Sequence, residues 1–156
     1  MERTPQKSTV EIRDANQTDL PQLKRMVQAL AVHHNDIPQI TLETLKRDIF
    51  GATPWVYVIV AEAEGKAVGY AALCPLIQLQ MGSRGVDMHH LFVETGLRGQ
   101  GIGKQLIAGA MQKARDLSCS QMCVGTHPDN LSAQAVYLAC GFERRDSTHP
   151  KFRIAL

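Results

Sequence analysis

The sequence predicts a single α/β domain over residues 1–156, built on a mixed, mostly antiparallel sheet flanked by helices. Two observations carry this prediction. Two apolar runs, 56–61 and 67–73, are separated by a short segment that contains a glycine, which is typical of a β-hairpin. Further along, a strand-like run at 86–93 leads through a glycine-rich loop into an amphipathic helix pattern over 102–117, which is typical of a βα unit.

The N-terminal part predicts one strand and two helices. Residues 10–13 alternate apolar and polar side chains, as a short strand does. Apolar residues then recur at helical spacing over 20–30, and this helix is expected to end near 33–36, before Pro38. A second helix is predicted over 41–51, because a threonine that can cap it begins the segment and a glycine ends it.

The rest of the chain predicts four further features. Residues 78–85 are polar and contain glycine, so we expect a connection there. A strand is predicted over 121–126 and a helix over 131–140, with Gly141 as its C-terminal cap. Residues 152–154 predict a last strand.

Composition and charge exclude several classes of protein. A chain of 156 residues that is 44% apolar can bury one core without further support. The net charge of +2 falls short of the strongly basic balance of most nucleic-acid binders, so no nucleic-acid partner is expected. No run approaches the ~20 apolar residues of a membrane span, and residues 1–13 lack a secretory signal pattern, so no membrane partner is expected.

The four cysteines lie at positions 74, 119, 123 and 140. They form no CxxC pair, and the pair at 119 and 123 lacks a matching second pair for zinc. We therefore expect reduced thiols in the cytoplasm and no metal site.

The segment 97–104, LRGQGIGK, predicts an anion site. It joins the end of a predicted strand to the start of a predicted helix, where about four backbone amides lack partners and the helix dipole is positive. Glycines at every second position let an anion approach those amides, and Arg98 and Lys104 add positive charge. The spacing fits neither the GxGxxG nor the GxxxxGK[ST] motif, so neither dinucleotide-fold nor P-loop binding is predicted.

The remaining pattern, Arg98-x-x-Gly101-x-Gly103, resembles the [QR]xxGx[GA] loop of the Gcn5-related N-acetyltransferase (GNAT) superfamily. The downstream series Asn130-x-x-Ala133-x-x-x-Tyr137-x-x-x-Gly141-Phe142 resembles the second cofactor segment of that family in spacing and residue type. Residues 40–51, together with the Val-Ala-Glu of 60–62, resemble its diamine and polyamine (spermidine/spermine) branch.

The resemblance implies a fold and a cofactor site. It implies a GNAT acyltransferase fold, in which the sheet splays at a cleft that binds acetyl-CoA as co-substrate. The backbone of Leu91, Phe92 and Val93 would contact the pantetheine arm. The pyrophosphate would lie against Arg98, Gly99, Gln100, Gly101, Ile102, Gly103 and Lys104. Asn130 would hydrogen-bond the cofactor, and Tyr137 would lie beside its sulfur.

Acetyl transfer to an amine requires a base and an acid. An amine attacks only when neutral, and the leaving thiolate needs a proton, which the phenol of Tyr137 can supply. His89 and His90 are the candidate bases, in a strand where many relatives carry acidic residues. Strand alternation sends their side chains to opposite faces unless a bulge intervenes, so the choice between them stays open.

The expected acceptor is the primary amine of a small molecule such as a polyamine or a lysine-like amino acid, attacked directly in a ternary complex. His33, His34 and Asp36, at the end of the first helix, are candidate acceptor-binding residues. Two alternatives stay open: acetylation of protein N-termini or lysines, and a non-catalytic sensor of acetyl-CoA. By analogy with relatives, a homodimer is expected.

Overall fold

The structure is a computed structural model that describes residues 9–156. The described residues form two compact units, one that ends at Gly125 and one over Thr126–Leu156. The single domain predicted over 1–156 begins outside the described residues and stays a prediction. The first unit contains β1 (Glu11–Asp14), α1 (Leu20–His33), α2 (Leu42–Phe50), β2 (Tyr57–Ala63), β3 (Lys66–Gln78), β4 (Ser83–Val93), α3 (Ile102–Asp116) and β5 (Gln121–Cys123), and the second contains α4 (Leu131–Ala139).

The five strands form one mixed sheet in the order β1-β2-β3-β4-β5. The first four pair antiparallel with their sequence neighbours. β5 returns parallel to β4 after the α3 crossover, as a βαβ unit requires. The mixed, mostly antiparallel sheet predicted from the sequence is therefore confirmed.

Two hairpins differ in detail from the prediction. β2 and β3 join through Glu64 and Gly65, whose φ values of 51° and 76° suit a two-residue type I′ turn. The connection predicted over 78–85 was too long, because β3 runs to Gln78 and β4 begins at Ser83. The tip of this hairpin is exposed, so its side chains carry no burial pattern that would mark them as strand.

The C-terminal strand predictions were partly wrong. β5 ends at Cys123 instead of residue 126, because its ladder with β4 has three residue pairs and ends there. Residues 152–154 are not a strand, since no ladder pairs them among residues 9–156. Phe152 and Ile154 are 94% and 82% exposed. An apolar pattern of three residues does not form a strand without a partner.

Helices cover both faces of the sheet. One face packs against α1 and α2, and its core includes Leu23, Met26, Val60 and Tyr70. The other face receives α3, whose buried positions follow the helical period. At Gly109, α3 packs so closely against β1 that a Cβ would lie 2.6 Å from the Cγ2 of Ile12.

An ion pair fixes the start of α1 against the sheet. The guanidinium of Arg13 on β1 donates to both carboxylate oxygens of Asp19, at 2.8 and 2.9 Å. Asp19 is only 7% exposed, and it also accepts from the backbone amide of Asn16 at 2.8 Å. Hydrogen bonding from Arg13 lowers the pKa of Asp19 below its ordinary value of 3.8.

This ion pair gives a stability prediction that depends on pH. Replacing Asp19 with asparagine is expected to lower the free energy of unfolding by about 1.5–3 kcal/mol near neutral pH, since a charge-assisted hydrogen bond is lost. Folding lowers the pKa of Asp19, so its contribution is complete above the unfolded-state pKa and disappears as the pH falls through the folded-state value. The difference between Asp19→Asn and wild type in urea unfolding should therefore shrink toward acid pH; a constant difference would contradict the prediction.

Candidate active site

The edge of β4 opposite β3 opens where β5 ends. β4 and β5 pair only through Gly85, Val86 and Asp87 of β4. β3 continues to pair with β4 as far as Val93. Residues 88–93 therefore have a strand partner on one side and, within the described residues, none on the other. An extended ligand can form strand-like hydrogen bonds along such an edge.

The glycine loop follows this open edge and ends at the first turn of α3. Gly99 and Gly101 have φ values of 78° and 85°, in the left-handed region that favours glycine. A Cβ added to either would meet no atom within 4 Å, so the space beside both is open. Gly101 begins α3 without any side-chain capping bond, which leaves the first amides of the helix available to an anion.

Two cations flank the loop. Arg98 donates from Nε to the carbonyl oxygen of Val93 at 2.9 Å, and its guanidinium lies 5.7 Å from the centre of the Phe92 ring. Its Nη donors have no partner within the part of the chain that the structure describes. Lys104 lies exposed in the first turn of α3. The loop therefore fits a pyrophosphate: bare amides, open space and two positive side chains.

The two candidate bases lie side by side at a β-bulge. Ala72 on β3 pairs with His90, but the next residue, Leu73, pairs with Met88, so His89 is the extra residue. The bulge breaks the alternation, and the two imidazole rings stack with centroids 4.2 Å apart and planes 14° apart. The structure thus brings both histidines to the same side of β4, on the face that carries Tyr70 and Phe92.

The two rings differ in environment. His89 is exposed, whereas His90 is partly buried and its Nδ1 lies 2.9 Å from the hydroxyl of Tyr70. Burial lowers the pKa of His90 to about 4, with smaller contributions from the charges of His89 and His34. His90 is therefore neutral at physiological pH. The effect of His34 also shows that the end of α1 lies near the histidine pair, which the sequence did not predict.

The other predicted acceptor-binding residues lie at the same end of α1. His33 is the last residue of α1, and its ring centroid is 5.7 Å from that of His34. Asp36 follows in an exposed turn that its backbone amide closes by bonding to the carbonyl of Ala31 at 2.8 Å. Among residues 9–156 no group of three or more His, Cys, Asp or Glu side chains could hold a metal ion.

Two predicted site residues belong to the second unit. Asn130 caps α4, because its Oδ1 accepts from the backbone amide of Ala133 at 3.1 Å. Tyr137 lies about one turn after Ala133 on α4. Its ring packs edge-on against the ring of Phe142, with the centroids 5.7 Å apart. Burial raises the pKa of Tyr137, so its hydroxyl stays protonated at neutral pH. A capping role for Asn130 was not anticipated from the sequence.

Sequence reasoning missed Tyr70. It lies on β3 as part of the Val-Gly-Tyr-Ala run at 68–71 and is 1% exposed. A buried tyrosine usually finds a partner for its hydroxyl, and this is the signal that the sequence offered. Identifying that partner as His90 required the register of β3 against β4.

The comparisons with known proteins agree with this geometry. A family model described as "Acetyltransferase (GNAT) family" matches residues 23–142. The thialysine N-epsilon-acetyltransferase of Bos taurus is 32% identical over 142 residues, which cover 85% of this chain and 83% of that protein. Human N-acetyltransferase 8 is 36% identical over 85 residues, but these cover only 54% of this chain and 37% of that protein.

Solved structures give the same fold. An aminoglycoside N-acetyltransferase, AAC(6')-Iy, in complex with CoA superposes with a TM-score of 0.79 and 25% identity, covering 98% of this chain and 100% of that one. A ribosomal-protein-alanine N-acetyltransferase from Brucella melitensis biovar Abortus 2308 has a TM-score of 0.77 at 21% identity and covers 93% of this chain and 99% of that one, a likeness of fold alone.

An open strand edge leads to an uncapped helix N-terminus within this fold, and the family match assigns the protein to the acetyl-CoA-dependent N-acetyltransferases. The chain belongs to the GNAT acetyltransferase family. The superfamily predicted from the glycine loop is therefore confirmed, and so are the enzyme class and acetyl-CoA as the acetyl donor. No described helix has the length and apolar content that crossing a membrane requires.

Proposed function

We propose that the protein acetylates the side-chain amine of a small, lysine-like amino acid by direct attack in a ternary complex. The observation that carries the proposal is the stacked histidine pair on the strand whose open edge leads into the glycine loop. This arrangement supplies a proton acceptor on the same strand as the expected acetyl-CoA site. Leu91, Phe92 and Val93 would offer backbone groups to the pantetheine arm, and residues 98–104 would hold the pyrophosphate.

In the proposed reaction the acetyl group passes directly from acetyl-CoA to the amine. Acetyl-CoA supplies an acetyl thioester. The amine nitrogen forms a bond to the carbonyl carbon, the carbon–sulfur bond breaks, and a proton from the amine goes to a histidine of the pair. The thiolate takes a proton from the Tyr137 hydroxyl, whose pKa is raised by burial. After release of the products, the protonated histidine gives up its proton to solvent and Tyr137 regains one.

The electrostatics favour a lysine-like acceptor over a polyamine. The charges that shift the pKa of His90 are those of His89 and His34, and no carboxylate of the described residues contributes. A polyamine carries several positive charges, which such a site would not neutralise. An amino acid brings its own carboxylate, which His33 or His34 could bind. The thialysine N-epsilon-acetyltransferase of Bos taurus, similar over most of its length, supports the same class.

Release of the free coenzyme A thiol tests the proposal. Acetyl-CoA would be offered with thialysine, lysine, spermidine, kanamycin and an N-terminal alanine peptide, with product mass as confirmation. We expect kcat/KM for thialysine or lysine to exceed that for spermidine by about tenfold or more, the equivalent of one unfavourable charge contact of about 1.4 kcal/mol. Preference for spermidine would overturn the acceptor assignment.

The two alternative functions have distinct outcomes in this assay. Turnover of the peptide alone would indicate that the protein acetylates other proteins. Tight acetyl-CoA binding in calorimetry without turnover of any amine would favour the sensor. Binding together with turnover of a free amino acid would exclude both.

We also propose a cytoplasmic homodimer. The side chains of Phe152, Ile154, Ile77 and Leu79 are largely exposed, and apolar surface of this kind supports a contact between subunits. The free thiols of Cys74, Cys119 and Cys140 support a reducing compartment. Light scattering coupled to size-exclusion chromatography should give twice the monomer mass, and a monomer at micromolar concentration would overturn the dimer.

A further inference from the structure

A buried hydrogen bond joins the histidine pair to the core of the sheet. The hydroxyl of Tyr70 on β3 lies 2.9 Å from Nδ1 of His90 on β4, and Tyr70 is 1% exposed. Within the described residues the hydroxyl has no other hydrogen-bond partner. The ring of Tyr70 is itself held by packing, since it contacts Phe92 with centroids 6.0 Å apart. The phenol is therefore a fixed point against which the imidazole of His90 is oriented.

The chemistry of the two groups decides the direction of this bond. Burial raises the pKa of Tyr70 well above its ordinary value, so the phenol keeps its proton. His90 is neutral and carries one N–H, on either Nδ1 or Nε2. If Nδ1 carried it, the buried hydroxyl hydrogen would lack an acceptor, at a cost comparable to a lost hydrogen bond. The hydroxyl therefore donates to Nδ1, and the proton of His90 is on Nε2.

The Nε2 atom of His90 faces the solvent side of the ring. Within the described residues, Nε2 has no hydrogen-bond partner. Every fully buried side-chain nitrogen or oxygen in that part of the chain does have a partner. Nε2 is therefore accessible, and as an N–H it is a donor. A ring in this state cannot accept a proton at its exposed nitrogen.

We propose that Tyr70 is a positioning residue, which holds His90 as the Nε2–H tautomer so that His90 donates a hydrogen bond to a bound substrate and His89 accepts the proton of the amine. This inference rests on the proposed function. It separates the roles of two adjacent histidines. His89 suits the acceptor role because it is exposed and its ring is held by stacking on His90.

The groups around His90 agree with this division. They are the hydroxyl of Tyr70 from β3, the imidazole of His89 from β4 itself and the imidazole of His34 from the end of α1. An imidazole carries no negative charge and the buried phenol keeps its proton, so none of the three groups favours a positive charge on His90. A neutral His90 in turn leaves His89 free of one repulsive neighbour when it takes up the proton.

The first test measures the tautomer directly, without turnover. Long-range nitrogen–proton correlation spectra of the folded protein, assigned with His90→Gln, should show an Nε2–H ring for His90 over pH 6 to 9. In Tyr70→Phe we expect a mixture of the two tautomers. The matched control is Tyr57→Phe, whose hydroxyl has no hydrogen-bond partner in the described structure, and it should leave the tautomer of His90 unchanged. An Nδ1–H ring in wild type would overturn the proposal.

The second test divides the histidines by kinetics. Glutamine can donate a hydrogen bond from its amide but cannot take up a proton. We expect His89→Gln to lower kcat about 100-fold and to remove the acid limb of the pH profile, as loss of a general base does. We expect His90→Gln, whose amide replaces the Nε2–H donor only in part, to lower kcat/KM about tenfold but to keep the acid limb of the pH profile. Tyr70→Phe should lower kcat/KM by no more than this and should also keep the acid limb, since only the orientation of His90 is lost.

The outcomes separate this inference from the proposed function. The reverse ranking, with His90→Gln inactive and His89→Gln near wild type, would overturn the roles assigned to the two histidines. It would still agree with the proposed function. Absence of turnover by wild type on every amine would instead refute the proposed function. The tautomer measurement would still decide whether Tyr70 holds His90.

Discussion

Replacing Gly101 with valine is expected to raise the dissociation constant for acetyl-CoA about 100- to 1000-fold, because the variant loses about two charge-assisted hydrogen bonds between backbone amides and the pyrophosphate. Gly101 has a φ of 85°, and its absent side chain leaves open space at the first turn of α3. A β-branched side chain would fill that space and would disfavour the left-handed backbone. Isothermal titration calorimetry with acetyl-CoA measures the effect.

Gly65→Val is the matched control for this variant. Gly65 has a φ of 76° in the turn between β2 and β3, and a Cβ there also meets no atom within 4 Å. Both variants should lose a similar amount of stability, about 1–3 kcal/mol for the strained backbone. Only Gly101→Val should lose affinity for acetyl-CoA. Equal losses of affinity in the two variants would show that the glycine loop does not bind the pyrophosphate.

The glycine loop was predictable because its signal is local. The strand, the loop and the amphipathic period of α3 lie within one continuous stretch of sequence, and no distant partner is needed to recognise them. The same holds for α1, whose apolar face is read within a few residues, and for α2, whose threonine cap is equally local. The prediction of an anion site, with Arg98 and Lys104 beside it, followed from these local features.

The bulge at His89 was not predictable, because it depends on the pairing of β4 with β3. A bulge shifts the alternation by one residue, which would change the hydropathy pattern of a strand buried on one face. β4 is covered on both faces, and Met88 before the bulge is as buried as Phe92 after it. The hydropathy pattern of β4 therefore does not reveal the bulge.

The proximity of the end of α1 to the histidine pair was missed for a related reason. His34 and His90 are far apart in sequence, and only packing of α1 on the sheet brings them within electrostatic reach. The failed strand at 152–154 is the converse case, since a local apolar pattern was present but the structure gives it no partner. Local pattern indicates which strands can form, and pairing decides which do.

Replacing Tyr137 with phenylalanine is expected to lower kcat about 1000-fold while leaving the dissociation constant for acetyl-CoA unchanged, because the proposed general acid is lost but no binding group is removed. Burial raises the pKa of Tyr137, so at neutral pH the wild-type hydroxyl holds the proton that the leaving thiolate needs. Steady-state kinetics with the best amine of the panel, together with calorimetry, separates the two quantities.

The alternative is that Tyr137 only packs within its own unit, edge-on to Phe142. Phenylalanine keeps the ring and therefore the packing, so that role predicts kcat near wild type and a change in unfolding free energy within about 0.5 kcal/mol. Tyr57→Phe again serves as the control for removal of a hydroxyl from this chain. A large loss of kcat in Tyr137→Phe, with stability and affinity preserved, can come only from the missing phenolic proton, since every apolar contact of the ring is still present.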